Sequence, residues 1–184
     1  PMPRGGQSIT CVAAIDWDGD TDLDAVVGVD GVNNGYQVLL NVSDTMTIGP
    51  WLEIPEYEIS AVSYVPDPPT CVDGGDQSSS WGFVGGTRYG QALRVEPDEN
   101  DVHLLAETMG NLVSIKALEL SDNGGDGLID IFAVSDEAKA LYLFEGVAGV
   151  DGGTFGDVIP LEVSVTPTDM LSLDIDRDGD MDFL

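Results

Sequence analysis

The chain has 184 residues, 42% of them hydrophobic, enough for one domain of ordinary size with a sizeable core and too many for wholesale disorder. Its 34 acidic residues against 6 basic ones leave a net charge of −28, which argues against nucleic acid or an anionic membrane surface and favours cations, basic partners or neutral ligands. No apolar run approaches the ~18 residues needed to insert across a membrane.

In chain order, Pro1–Arg4 lead into polar sequence without a signal-peptide pattern. A strand-like run, Val12–Ile15, is followed by Asp16-Trp17-Asp18-Gly19-Asp20-Thr21-Asp22-Leu23-Asp24, with an acid at every second position. Further strands are expected at Ala25–Val29, Tyr36–Leu40 and Trp51–Ile54, with a polar turn at Asp30–Asn34. A second unit follows: Ile59–Val65, an enlarged loop keeping only Asp67, Asp73 and Asp76, then Trp81–Val84 in the place of Ala25–Val29, Gln91–Val95 and Val102–Leu105. The acidic loop returns in weaker form at Asp122–Asp130, ahead of Ile131–Val134, Ala140–Phe144 and Val158–Val163. It returns in full at Asp174–Asp182. The closing Met181–Leu184 reads as a strand just beginning, so the sequence reads as a fragment that stops inside a unit.

Four short antiparallel strands recurring every ~40–50 residues form the pattern of a β-propeller blade. The expected fold is therefore all-β: a single partial propeller of three blades, at about 9–57, 59–108 and 112–165, plus the start of a fourth at 168–184. Small residues in the first strands (Ala13, Ala14, Ala61, Ser63 and Ala117) suit a crowded position beside the axis. Propellers close with about four to eight blades, so further blades or other copies are needed to complete a ring. The competing architecture is an open stack or irregular sandwich.

Packing many carboxylates into nine residues costs repulsion unless a cation offsets it. Oxygen ligands at alternate positions suit a hard ion such as Ca²⁺, which takes 6–8 of them. Ala13–Asp24 and Leu173–Leu184 resemble the FG-GAP/VCBS repeat family, the calcium-loop propeller blades of integrin α-subunit heads and many secreted bacterial proteins; residues 117–134 resemble it more loosely. The resemblance implies side-chain ligands at loop positions one, three, five and nine and a backbone carbonyl at seven. Carried over, these are Asp16, Asp18, Asp20 and Asp24 with the carbonyl of Asp22, and Asp174, Asp176, Asp178 and Asp182 with the carbonyl of Asp180. In the third blade Asp122, Asp126 and Asp130 match, but Gly124 stands at position three. Position six is Gly127 and Gly179 in two loops and Thr21 in the first. Strands flank these loops and no Glu stands at position twelve, so they are not helix–loop–helix sites.

Cys11 and Cys71 allow one bridge or two free thiols. His103, the single histidine, reads as a strand-face residue; no nucleophile, zinc or phosphate motif occurs, and every dense carboxylate pair lies inside an acidic loop. Asn41-Val42-Ser43 has the form of a glycosylation acceptor. In the resembled blade, the turns opposite the acidic loops form a ligand face, which would carry Asn34, Tyr36, Arg88 and Tyr89. The expected function is a calcium-binding extracellular adhesion or ligand-binding module for a protein or carbohydrate, with no intrinsic catalysis. The alternatives are a non-catalytic part of a secreted polysaccharide-active enzyme and a structural repeat of a cell-surface filament.

Overall fold

Alternating apolar and polar residues, cut by Gly, Asn and Asp turns, favour hairpins whose two faces can both be buried. A computed structural model describes residues 7–18, 20–43, 45–54, 56–65, 82–96, 101–118, 128–147, 154–173, 175–176 and 182–184. Every regular element among them is a strand. Three four-stranded antiparallel sheets follow one another along the chain. Blade one is β1(Ser8–Ile15), β2(Asp24–Asp30), β3(Gly35–Asn41) and β4(Met46–Glu53). Blade two is β5(Ile59–Tyr64), β6(Phe83–Thr87), β7(Ala92–Glu96) and β8(Asp101–Ala106). Blade three is β9(Leu112–Leu118), β10(Asp130–Ser135), β11(Ala140–Phe144) and β14(Ile159–Glu162), with the small hairpin β12(Gly146–Val147) and β13(Thr154–Phe155) extending its outer strands. A last hairpin, β15(Ser172–Leu173) and β16(Asp182–Phe183), begins a fourth unit. Among the described residues the sheets do not close into a ring.

The first strand of each blade carries a bulge at the same place, between Ile9 and Cys11, between Ile59 and Ala61, and between Leu112 and Ser114. This shared irregularity fixes the alignment of the blades. It also corrects one expectation. Tyr64 pairs with Phe83 as Ala14 pairs with Ala25, so Phe83, not Trp81, stands in the place of Ala25. The enlarged loop had displaced the count by two; Trp81 and residues 66–80 lie outside the described residues. The fourth strand of blade one also starts earlier than expected, at Met46. A bulge between Gln37 and Leu39 admits the extra length, and the Gln37 amide donates to the carbonyls of Gly49 and Pro50.

Blades stack face to face, because neither face of a sheet could otherwise leave water. The seam between blades one and two is filled by Ile15, Trp17, Val26, Tyr36 and Val38 from one side and Ile59, Val62, Phe83, Leu93 and Val95 from the other. The next seam joins Ala61, Val65, Val84 and Ala92 to Leu112, Ile115, Ile131 and Phe144. A smaller cluster sets Leu118, Phe132 and Val134 against Met170 and Phe183. The first strands lie side by side in sequence, β1 against β5 and β5 against β9. Gly85 is required where blades one and two meet, since the Tyr36 ring occupies the space its side chain would take.

Candidate metal centre

The loop between β1 and β2 is held at both ends by backbone. Ile15 pairs with Asp24, so eight residues are enclosed, and Trp17 at the second position is buried in the seam beside Phe83, ring centroids 6.1 Å apart. With Trp17 anchored inward, Asp16 and Asp18 on either side of it come together with Asp24: one oxygen of each lies within 4.8 Å of the others. Asp20 is turned to another use, its Oδ1 accepting the Asp22 N–H at 2.9 Å. Thr21, at the position that is glycine in the other loops, has φ 75°, and its N–H donates to Asp16 Oδ2 at 3.0 Å. The Asp18 carboxyl is pushed above the ordinary carboxylate range, first by loss of surrounding water and then by the charges of Asp20, Asp24 and Asp16, with the Asp20 N–H acting in the opposite sense.

Asp24 does more than face the loop. It is almost fully buried. Its Oδ2 accepts the Trp17 N–H at 2.9 Å and its Oδ1 the Asn41 N–H at 2.6 Å, linking the loop to the end of β3. Each of the other acidic loops repeats one half of this arrangement. Asp182 Oδ2 accepts the Ile175 N–H at 2.9 Å, and Asp130 Oδ1 accepts the Gly146 N–H at 2.8 Å. These backbone donors carry no side-chain signature, and the sequence does not reveal them. Of the remaining expected ligands, Asp176 is exposed; Asp122, Asp126, Asp174, Asp178 and Asp180 lie outside the described residues. The third loop encloses eleven residues, Leu118 to Asp130, against eight in the first and last.

A cation fits the first loop. At Ca²⁺–oxygen distances of about 2.3–2.6 Å, two ligands on opposite sides of one ion are separated by roughly 4.6–5.2 Å, so a single ion can reach all three clustered carboxylates.

The expected ligand face is only partly a face. Tyr36 is fully buried: its hydroxyl donates to the Ala61 carbonyl at 3.2 Å and its ring meets Phe83 edge-on at 4.6 Å. Asn34 is buried too, its Oδ1 accepting the Gly31 N–H at 2.8 Å to shape the β2–β3 turn. Both serve the fold, and neither is presented to a ligand. Arg88 and Tyr89 are exposed and share Glu58. The Tyr89 hydroxyl donates to Glu58 Oε1 at 2.9 Å, while Arg88 lies 3.9 Å from Glu58 and 3.8 Å from Asp30 of blade one. The bond to Glu58 and its charge raise the Tyr89 phenol above its ordinary range. Cys11 is a half-buried free thiol, raised chiefly by burial; Cys71 lies outside the described residues.

Repeated four-stranded sheets stacked through both faces, each hinged on a loop between its first two strands, define a β-propeller-type repeat module. Residues 124–184, from the third loop to the last hairpin, match the family described as FG-GAP-like repeat, so the chain carries an FG-GAP-like repeat there. A search of curated proteins found none that matches. Among solved structures, a chain in the crystal structure of an active polycomb repressive complex 2 in the basal state is similar with a TM-score of 0.50 and 12% identity over 76% of this chain. This chain spans 27% of that one, and the likeness is one of fold alone.

Proposed function

We propose that this chain is a Ca²⁺-stabilised extracellular repeat module that works by binding a protein or carbohydrate and not by catalysis. The observation that carries the reading is the convergence of Asp16, Asp18 and Asp24 oxygens within 4.8 Å. Asp20 Oδ2, the oxygen that the Asp22 N–H does not occupy, and the Asp22 carbonyl lie in the same loop to complete the shell with water. A bound ion would supply positive charge where Asp18 is most crowded by its neighbours. Sites of this kind in extracellular modules bind with dissociation constants of about 10⁻⁴–10⁻³ M, which suits millimolar calcium outside cells. At ~1 mM free Ca²⁺ each would then add about 0.4–1.4 kcal/mol of stability. The exposed Arg88–Tyr89 turn, on the side away from the acidic loops, supports a ligand surface there.

Thermal melts in Ca²⁺, in Mg²⁺ and in chelator test the metal. The midpoint is expected to rise with Ca²⁺, and the rise to disappear in an Asp16→Asn/Asp18→Asn variant. Equal midpoints in Ca²⁺ and chelator would refute it.

A further inference from the structure

Loop and seam meet in one residue, Trp17. Its N–H donates to Asp24 Oδ2 at 2.9 Å, and its chain neighbours on either side are Asp16 and Asp18. Its ring is only 9% exposed and packs in the seam 6.1 Å from Phe83 of blade two. Phe83 is fully buried and edge-on to Tyr36 at 4.6 Å, and Tyr36 is tied to the Ala61 carbonyl. The ring that Trp17 leans on therefore has little freedom to follow it. Charge in the loop works against this anchoring. Carboxylate oxygens of Asp16, Asp18 and Asp24 within 4.8 Å of one another repel. They separate when Asp16 and Asp18 swing apart, which turns the backbone between them and draws Trp17 out of the seam. Burial of the large indole opposes that motion.

Resting on the reading of the first loop as a cation site, we infer that Trp17 is the positioning residue of that site, and that occupancy is coupled through it to the closing of the seam between blades one and two. Trp17 supplies no side-chain oxygen. Its burial holds Asp16 and Asp18 together before an ion arrives, and the ion removes the repulsion that loosens Trp17. The coupling is reciprocal: whatever the closed seam adds to cation affinity, the cation adds to closure of the seam. The affinity of blade one's loop therefore depends on a side chain of blade two. That side chain, Phe83, offers no ligand oxygen, and the loop of its own blade lacks the acidic alternation.

Terbium luminescence and tryptophan emission give the test. The chain has three tryptophans, so a Trp51→Phe/Trp81→Phe background leaves Trp17 as the one indole. Tb³⁺, an oxygen-seeking ion that substitutes for Ca²⁺, is excited by a nearby indole, and its luminescence then reports the first loop. The signal is expected to saturate, to be displaced by Ca²⁺ and to vanish with Asp16→Asn/Asp18→Asn. Phe83→Leu is expected to raise the Tb³⁺ midpoint about fivefold or more. Phe144→Leu, the same change in the next seam, is expected to leave it unmoved. In the reciprocal direction, Ca²⁺ is expected to shift Trp17 emission to shorter wavelength and to reduce its quenching by acrylamide. A midpoint that ignores Phe83→Leu, or binding without a change in Trp17 emission and quenching, overturns the coupling and leaves the cation site standing. No luminescence, or a signal that survives Asp16→Asn/Asp18→Asn, overturns the cation reading and the coupling with it. The emission is read on an intact seam, so it decides the matter even where Phe83→Leu does not fold.

Discussion

Replacing Gly85 by alanine should loosen the seam between blades one and two. A methyl carbon there would lie 2.7 Å from Tyr36 Cζ and closer still to the hydroxyl, whereas an ordinary contact begins at 3.4 Å. The ring must therefore withdraw by roughly 0.7 Å or more, and a core at crystal-like packing density has little room to take it. Tyr36 is fully buried, edge-on to Phe83, and tied by its hydroxyl to the Ala61 carbonyl. Overpacking costs about 1–3 kcal/mol and the strained or lost hydrogen bond about 0.5–1.5 kcal/mol, so Gly85→Ala should destabilise by about 2–4 kcal/mol. Tyr36→Phe alone should cost about 0.5–1.5 kcal/mol. It also removes the atom nearest the new methyl, so in the Tyr36→Phe background Gly85→Ala should cost about 1 kcal/mol less. Urea denaturation of the four proteins, compared at constant m-value, reads out this coupling. An additive cycle, or a Gly85→Ala protein within about 0.5 kcal/mol of wild type, would refute the packing account.

The remaining predictions concern single residues. Asp24→Ala leaves the buried Trp17 N–H and the part-buried Asn41 N–H without their carboxylate; at about 1–3 kcal/mol for a buried unsatisfied donor and about 1 kcal/mol for the part-buried one, the loss should reach about 2–4 kcal/mol and persist in chelator, and a loss confined to Ca²⁺-containing buffer would show that the carboxylate serves only an ion. Thr21→Gly removes a β-branched side chain from φ 75°; relief of about 1–2 kcal/mol against an entropic cost of about 0.5–1 kcal/mol predicts a protein as stable as wild type or up to about 1 kcal/mol more so, and a clear loss would argue against strain there. Asp169 is held below the ordinary carboxylate range by a hydrogen bond from Ser114, then by the Met170 N–H and the Lys116 charge. A depressed folded-state value means its stabilisation is present above the unfolded value and fades as pH falls through the folded one. Asp169→Asn should therefore be less stable than wild type at pH 6, with the gap closing below about pH 4, as acid-titrated melts would show.

What was legible in the sequence follows the physics of each signal. Strand alternation and recurrent turn residues mark the blades, because a two-residue period and a hairpin turn are local. Register is not local, and it failed where the loop after Tyr64 is enlarged, placing Trp81 where Phe83 stands. Tyr36 was misplaced for a related reason. Following a polar turn, it resembles a surface residue, yet it shares parity with Val38 and Leu40, and all three point into the seam with blade two. The acidic alternation pointed to grouped carboxylates, and Asp16, Asp18 and Asp24 lie together in the first loop because alternate residues on either side of an inward Trp17 emerge together. It could not separate Asp20 from Asp18, because the Asp22 N–H that Asp20 accepts is a backbone group.

The ninth aspartate of each loop explains why one blade can do without the loop's chemistry. Asp24 and Asp130 each fasten their loop to the end of the third strand through one backbone N–H, that of Asn41 or Gly146. In blade two the register puts Gly82 where Asp24 stands, and the residue matching Asn41, next after Glu96, is Pro97, which has no N–H to give. Acceptor and donor are missing together, while the Gly82 N–H donates to the Val95 carbonyl at 3.1 Å, continuing the pairing of β6 with β7. Removing this acceptor and this donor as a pair is the condition under which a hydrogen bond can be lost at little net cost. Blade two nevertheless keeps the first-strand bulge and the seam residues Val62, Phe83 and Val95. Face-to-face packing therefore specifies the stack, and the acidic loop is a brace added to blades that already have their place in it.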